Sequence, residues 1–106
     1  MALAKNSICA ALALASVLAA FPSQAADAIT KEIMARCQSL VGEYGPAMVK
    51  HCVDGDRKAY ADLLGYPKHH RKIVDRCMYL AKDHGYVLVK HCTDQDIEAE
   101  KALQGY

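Results

Sequence analysis

Residues 36–52 read RCQSLVGEYGPAMVKHC, and residues 76–92 read RCMYLAKDHGYVLVKHC. Both strings open on Arg-Cys, carry a glycine at the same place and close on Val-Lys-His-Cys, so one unit is written twice at an offset of 40 residues. The register runs on in both directions without a gap. Leu40/Leu80, Asp54/Asp94, Asp56/Asp96, Ala59/Ala99, Leu63/Leu103, Gly65/Gly105 and Tyr66/Tyr106 are identical as well. A self-match of this length at a fixed period marks the tandem duplication of one supersecondary unit.

Within each copy the apolar residues recur at helical spacing: Ile29, Ile33, Cys37, Leu40 and Val41 in the first, Ile73, Cys77, Leu80 and Ala81 in the second. Strand-like alternation is absent. Asp27 or Thr30 offers a cap for the first helix. Glu43-Tyr44-Gly45-Pro46 then supplies a glycine where a helix stops and a proline suited to the first turn of the next.

A second helix follows on Val49, Cys52, Val53, Tyr60, Leu63 and Leu64, matched by Val89, Cys92, Ile97 and Leu103. Gly65 and Gly105 are expected to end these helices as left-handed C-caps, and Gly65-Tyr66-Pro67 divides the copies. Two readings stay open for the second helix. Val53-Asp54-Gly55-Asp56 has the chemistry of a turn with an Asp capping a fresh helix, and Thr93-Asp94-Gln95-Asp96 resembles a capping box. If the helix instead runs on, Asp56 and Asp96 come near the cysteine face, and ion pairs with Arg76 and Arg36 across the copies are expected.

The expected fold is therefore all-α: two tandem disulfide-closed αα-hairpins, four helices, the second helix of each repeat whole or broken. Repeat 1 covers residues 26–66 and repeat 2 residues 67–106, together forming one domain over 26–106.

What precedes them reads as a leader. Lys5 gives a positive start, Ile8 to Ala20 an apolar run, and Ser23-Gln24-Ala25 the small residues a signal peptidase recognises, so residues 1–25 are expected to be a cleaved signal peptide. The run is short for a bilayer span of roughly 20 residues. No other stretch is apolar enough to cross, so the mature chain has no expected transmembrane segment. Its destination is the periplasm or the extracellular space. Cys9 leaves with the leader, and the remaining four cysteines, Cys37, Cys52, Cys77 and Cys92, form an even set in an oxidising compartment.

Four cysteines allow three pairings. In an antiparallel αα-hairpin, residues equally far from the turn face each other, and the midpoints of Cys37 to Cys52 and of Cys77 to Cys92 fall on Tyr44-Gly45 and His84-Gly85. That register selects Cys37–Cys52 and Cys77–Cys92. Pairing between repeats is the main competitor, and a zinc site on reduced cysteines a weaker one, since no C-x-x-C spacing exists. Each bridge closes a loop of roughly 15 residues, for which chain entropy gives about 3 kcal/mol.

Charge gives little direction. The sequence holds 13 basic and 12 acidic side chains, and the leader accounts only for Lys5, leaving 12 of each. A nucleic-acid partner is disfavoured, because phosphate binding rests on clustered cations. One local exception is Lys68-His69-His70-Arg71-Lys72, which opens the second repeat where cations oppose the helix dipole. It reads as a binding site for an acidic partner or as a solvated linker.

His51 and His91 of the shared Lys-His-Cys are the other candidates. A bridged cysteine is no nucleophile, so these histidines point to packing, to binding or to a metal rather than to catalysis. Met34, Met48 and Met78 lack the clustering of a copper site and read as core filling. Asp54, Asp56, Asp94 and Asp96 are too few for calcium loops. Serine elbows, H-E-x-x-H, phosphate loops and haem motifs are absent, and neither catalysis nor a cofactor is expected.

In general plan the unit resembles the disulfide-tied hairpins of mitochondrial coiled-coil-helix-coiled-coil-helix proteins. Those carry two cysteine pairs per hairpin where this chain carries one, so the likeness is architectural and transfers no function. The expected role is a noncovalent protein-binding or structural module whose partner is another envelope or extracellular protein. The alternative is copper or zinc handling through His51 and His91.

Overall fold

The computed structural model describes residues 28–106. The leader expected over 1–25 and the cap expected at Asp27 lie outside the described residues. Thr30, the other candidate cap, sits inside the first helix.

Among the described residues there are four α-helices and no strand: α1 over 28–41, α2 Pro46–Leu64, α3 Arg71–Ala81 and α4 Tyr86–Leu103. Each repeat is a hairpin of two of them. Ile33–Tyr106 is one compact unit. The turn of each hairpin is a single 3-10 turn, Gly42–Tyr44 or Lys82–His84, followed by a glycine with φ near +100°. Gly45 and Gly85 have φ of 100° and 108°, backbone that only glycine adopts without strain. They stand at the N-cap of the following helix, and Pro46 takes the first helical turn of α2 as expected.

The second helices are unbroken. In α2, Val49, Val53, Asp56, Ala59 and Leu63 are buried at spacings of four, three, three and four, one continuous stripe running straight through the Asp-Gly-Asp sequence. Packing of that stripe outweighs the local turn preference of Val53-Asp54-Gly55-Asp56. In the second repeat Tyr86, Val89 and Thr93 continue the same pattern, and the Thr93 hydroxyl donates to the Val89 carbonyl at 2.8 Å.

The helix ends differ from expectation in one respect. Gly65 is right-handed, with φ −88° and ψ −5°, and closes α2 through a 3-10 hydrogen bond from its N–H to the Asp62 carbonyl at 3.0 Å. The Gly105 N–H donates to the Ala102 carbonyl at 3.1 Å in the same manner. A tightened last turn satisfies the terminal carbonyl as well as a left-handed cap does.

Both disulfides form within their repeats. Cys37 and Cys52 lie 5.8 Å apart between Cα atoms, and Cys77 and Cys92 5.7 Å apart. Cys37 and Cys77 are wholly buried beside Ile33, Val49, Ile73 and Val89, at the level where the hairpin register places them.

Candidate functional site

The most informative region is the seam between the repeats, where α2 meets the start of α4. Four of the contacts here cross between the repeats, and two more within a repeat support them. The Asp56 carboxylate accepts from the Arg36 guanidinium at 2.8 Å through one oxygen and from the Val87 backbone N–H at 3.2 Å through the other. Tyr60 meets Tyr86 edge-on with ring centroids 5.0 Å apart, and the Arg36 guanidinium carbon lies 5.0 Å from the centre of the Tyr86 ring. The Tyr66 hydroxyl donates to Asp94, which also accepts from Lys90 at 2.8 Å.

These contacts correct one expectation. Asp56 pairs with Arg36 and Asp96 with Arg76, both at 2.8 Å, so each ion pair lies inside a repeat rather than across the two. The two helices of one hairpin bring Arg and Asp to the same level, while Asp56 spends its second oxygen on the other repeat. It thereby caps α4, whose own N-cap, Gly85, has no side chain to offer.

The electrostatics of the second cluster follow from its hydrogen bonds. Burial pushes the Tyr66 hydroxyl above its ordinary value, and the bond to Asp94 adds to this. Burial alone would raise Asp94, but donation from Lys90 and Tyr66 outweighs it and leaves the carboxyl below its usual range. The Lys90 ammonium is raised, chiefly by its bond to Asp94. In the first repeat Lys50 donates to Asp54 at 2.6 Å and lowers it, on an exposed face.

The first repeat bears an open apolar groove of about 310 Å³ lined by Met34, Gln38, Pro46, Val49, Lys50 and Val53. Its counterparts in the second repeat are Val74, Met78, Tyr86, Val89, Lys90 and Thr93. Of these, Val74, Tyr86, Val89 and Thr93 are buried. The groove is thus the first repeat's version of the surface that the second repeat uses in the seam. No family model, curated protein or solved structure matches this chain.

The residues singled out from sequence fall elsewhere. His51 and His91 are exposed on α2 and α4. Among the described residues neither belongs to a group of three ligand atoms within reach of one metal ion. The grouping that does form, Cys77, Cys92 and Asp96, has both sulfurs committed to the disulfide. Lys68, His69 and His70 form a 3-10 turn that leads into Arg71 and Lys72 at the start of α3. The rings of His69 and His70 lie 4.0 Å apart, with His69 exposed and His70 half-buried. Met34 and Met48 are about half exposed rather than core filling. The groove went unread because it is defined by comparing burial between two sequence-equivalent surfaces, and the sequence shows only that they are equivalent. No helix among the described residues is long and apolar enough to cross a membrane.

Proposed function

We propose that this protein is a noncatalytic exported module that acts by binding a helical protein surface at the groove of Met34, Pro46, Val49 and Val53. One observation carries the reading: the equivalent surface of the second repeat is filled by a helix face, that of α2, within the same chain. A surface whose internal twin binds a helix is suited to a helix. Half-exposed Met34 fits such a role, since methionine adapts its shape to a partner. The two disulfides and the leader pattern support export to the periplasm or the extracellular space, and the partner is then a protein of that compartment.

Photo-crosslinking from position 38, where Gln38 lines the groove, tests this in the exported fraction. A protein partner crosslinked by the wild-type groove and lost in Met34→Glu supports the reading. Equal labelling in the presence and absence of that substitution overturns it.

A further inference from the structure

The repeats present two faces, and the seam uses one of each. Call the face bearing Gly85, Tyr86 and Val89 proximal, and the face bearing Asp56, Ala59 and Leu63 distal. The seam joins the distal face of the first repeat to the proximal face of the second. On the proximal face of the first repeat Met34 and Pro46 are exposed where Val74 and Tyr86 are buried, while Val49 is buried as Val89 is, and the distal face of the second repeat is exposed where that of the first is covered. Leu63 is 2 % exposed and its counterpart Leu103 67 %. The Arg36 side chain is 12 % exposed and that of Arg76 57 %. Ala59 is buried and Ala99 exposed, while Val74 is buried and Met34 is 44 % exposed.

The polar parts of the seam are present a second time on these exposed faces. Asp96 is held by Arg76 as Asp56 is held by Arg36. Tyr106 repeats Tyr66, and Lys50 with Asp54 repeats Lys90 with Asp94. Gly45 has the same backbone as Gly85. A Cβ on Gly85 would stand 3.1 Å from both Asp56 carboxylate oxygens, whereas one on Gly45 would meet nothing within 4 Å. The Ala47 N–H occupies the position of the Val87 N–H that Asp56 caps.

We infer that the distal face of the second repeat docks into the groove of another molecule of this same chain, head to tail, repeating the internal seam. This names the partner of the groove and rests on its reading as a protein-binding surface. Asp96 caps the partner's α2 at Ala47, and Leu103 lies against its groove. The joint is weaker than the seam it copies, because Pro46 replaces Tyr86 and Glu100 replaces Tyr60, which removes the ring contact and the guanidinium above it. A joint between two different faces does not close on itself in pairs, so association continues past two chains into a ring or a filament.

Sedimentation velocity of the purified oxidised protein over a thousandfold dilution series, run alone and as mixtures of variants, tests this. Met34→Glu spoils the groove and Leu103→Glu the distal face, both at exposed positions, and circular dichroism checks that each variant folds. The expected result is a mass that rises with concentration beyond the two-chain value for wild type. Each variant alone stays at one chain, and the equimolar mixture forms a species that stops at two. Wild type that stays at one chain throughout, or that stops at two, overturns the inference, as does a mixture that fails to associate. A one-chain wild type whose groove still crosslinks a different exported protein sinks self-docking and leaves the binding reading standing. Loss of both sinks both.

Discussion

Asp56 divides its two carboxylate oxygens between repeats, taking the Arg36 guanidinium of its own hairpin at 2.8 Å and the Val87 N–H of the other at 3.2 Å. The same residue therefore neutralises a nearly buried cation and caps a helix start, and the seam depends on it. Asp96 holds the equivalent ion pair in a setting about half exposed to solvent.

Asp56→Ala is expected to lower stability by about 3 kcal/mol, since it takes the carboxylate away from a guanidinium whose side chain is only 12 % exposed and uncaps α4. Asp96→Ala should cost less than about 1 kcal/mol, the range of an exposed pair. Urea denaturation of both variants measures the contrast. Equal midpoints would show that the seam does not rest on the carboxylate.

Glycine substitutions should separate two kinds of position. Gly85→Ala meets left-handed backbone and the Asp56 carboxylate at 3.1 Å, and is expected to cost about 1–3 kcal/mol. Gly55 lies inside α2, and a Cβ there would touch Val87 Cγ2 at an ordinary 3.8 Å. Gly55→Ala should stabilise by up to about 1 kcal/mol through helix propensity. Melting temperatures moving in the same direction for both would contradict this.

That contrast also shows how far the sequence could be read. The offset of 40 residues, the cysteines placed evenly about Gly45 and Gly85, and the helical period all lie in local pattern, and each reappears in the structure. The continuity of α2 does not, because Asp54-Gly55-Asp56 favours a turn locally and is held helical by Val49, Val53, Ala59 and Leu63 buried on either side. The partner of Asp56 was misplaced for a related reason. Spacing puts Arg and Asp on facing stripes, but which Arg stands opposite is set by the hairpin, whose antiparallel helices bring Arg36 level with Asp56 and Arg76 level with Asp96. The groove was illegible because it arises where equivalent positions differ in burial, Met34 and Pro46 being exposed where Val74 and Tyr86 are covered by the other repeat.

The cluster of Tyr66, Asp94 and Lys90 predicts the pH limits of the seam. Asp94 is lowered on folding, so its contribution is present above the ordinary carboxyl value near pH 4 and is lost as pH falls below it. Tyr66 and Lys90 are raised, so theirs is present below about pH 10 and is lost as pH rises past it. Stability should form a plateau between these limits, and Tyr66→Phe should flatten the alkaline edge. Thermal melts across pH measure both edges. An unchanged alkaline edge in Tyr66→Phe would remove this cluster from the seam.

The disulfides test whether the repeats fold as one body. Each closes a 15-residue separation, for which chain entropy gives about 3 kcal/mol. Because each bridge is confined to its own hairpin, Cys37→Ala with Cys52→Ala should leave Cys77–Cys92 formed, as peptide mapping of the nonreduced protein will show. The stability of the second repeat should nevertheless fall. Tyr86, Val89 and Thr93 are buried in the complete protein, and Tyr86 lies against Tyr60 and Arg36 of the first repeat, so a loosened first repeat opens that face to water. The expected denaturation curve is a single transition shifted to lower urea, with tyrosine fluorescence and helical ellipticity moving together. Removing Cys77 and Cys92 instead should shift it comparably, since the second repeat supplies the other buried half of the seam. Two resolved transitions in either variant would mean that each hairpin folds alone and that the seam holds them only weakly, in which case a weaker intermolecular copy of it would not form.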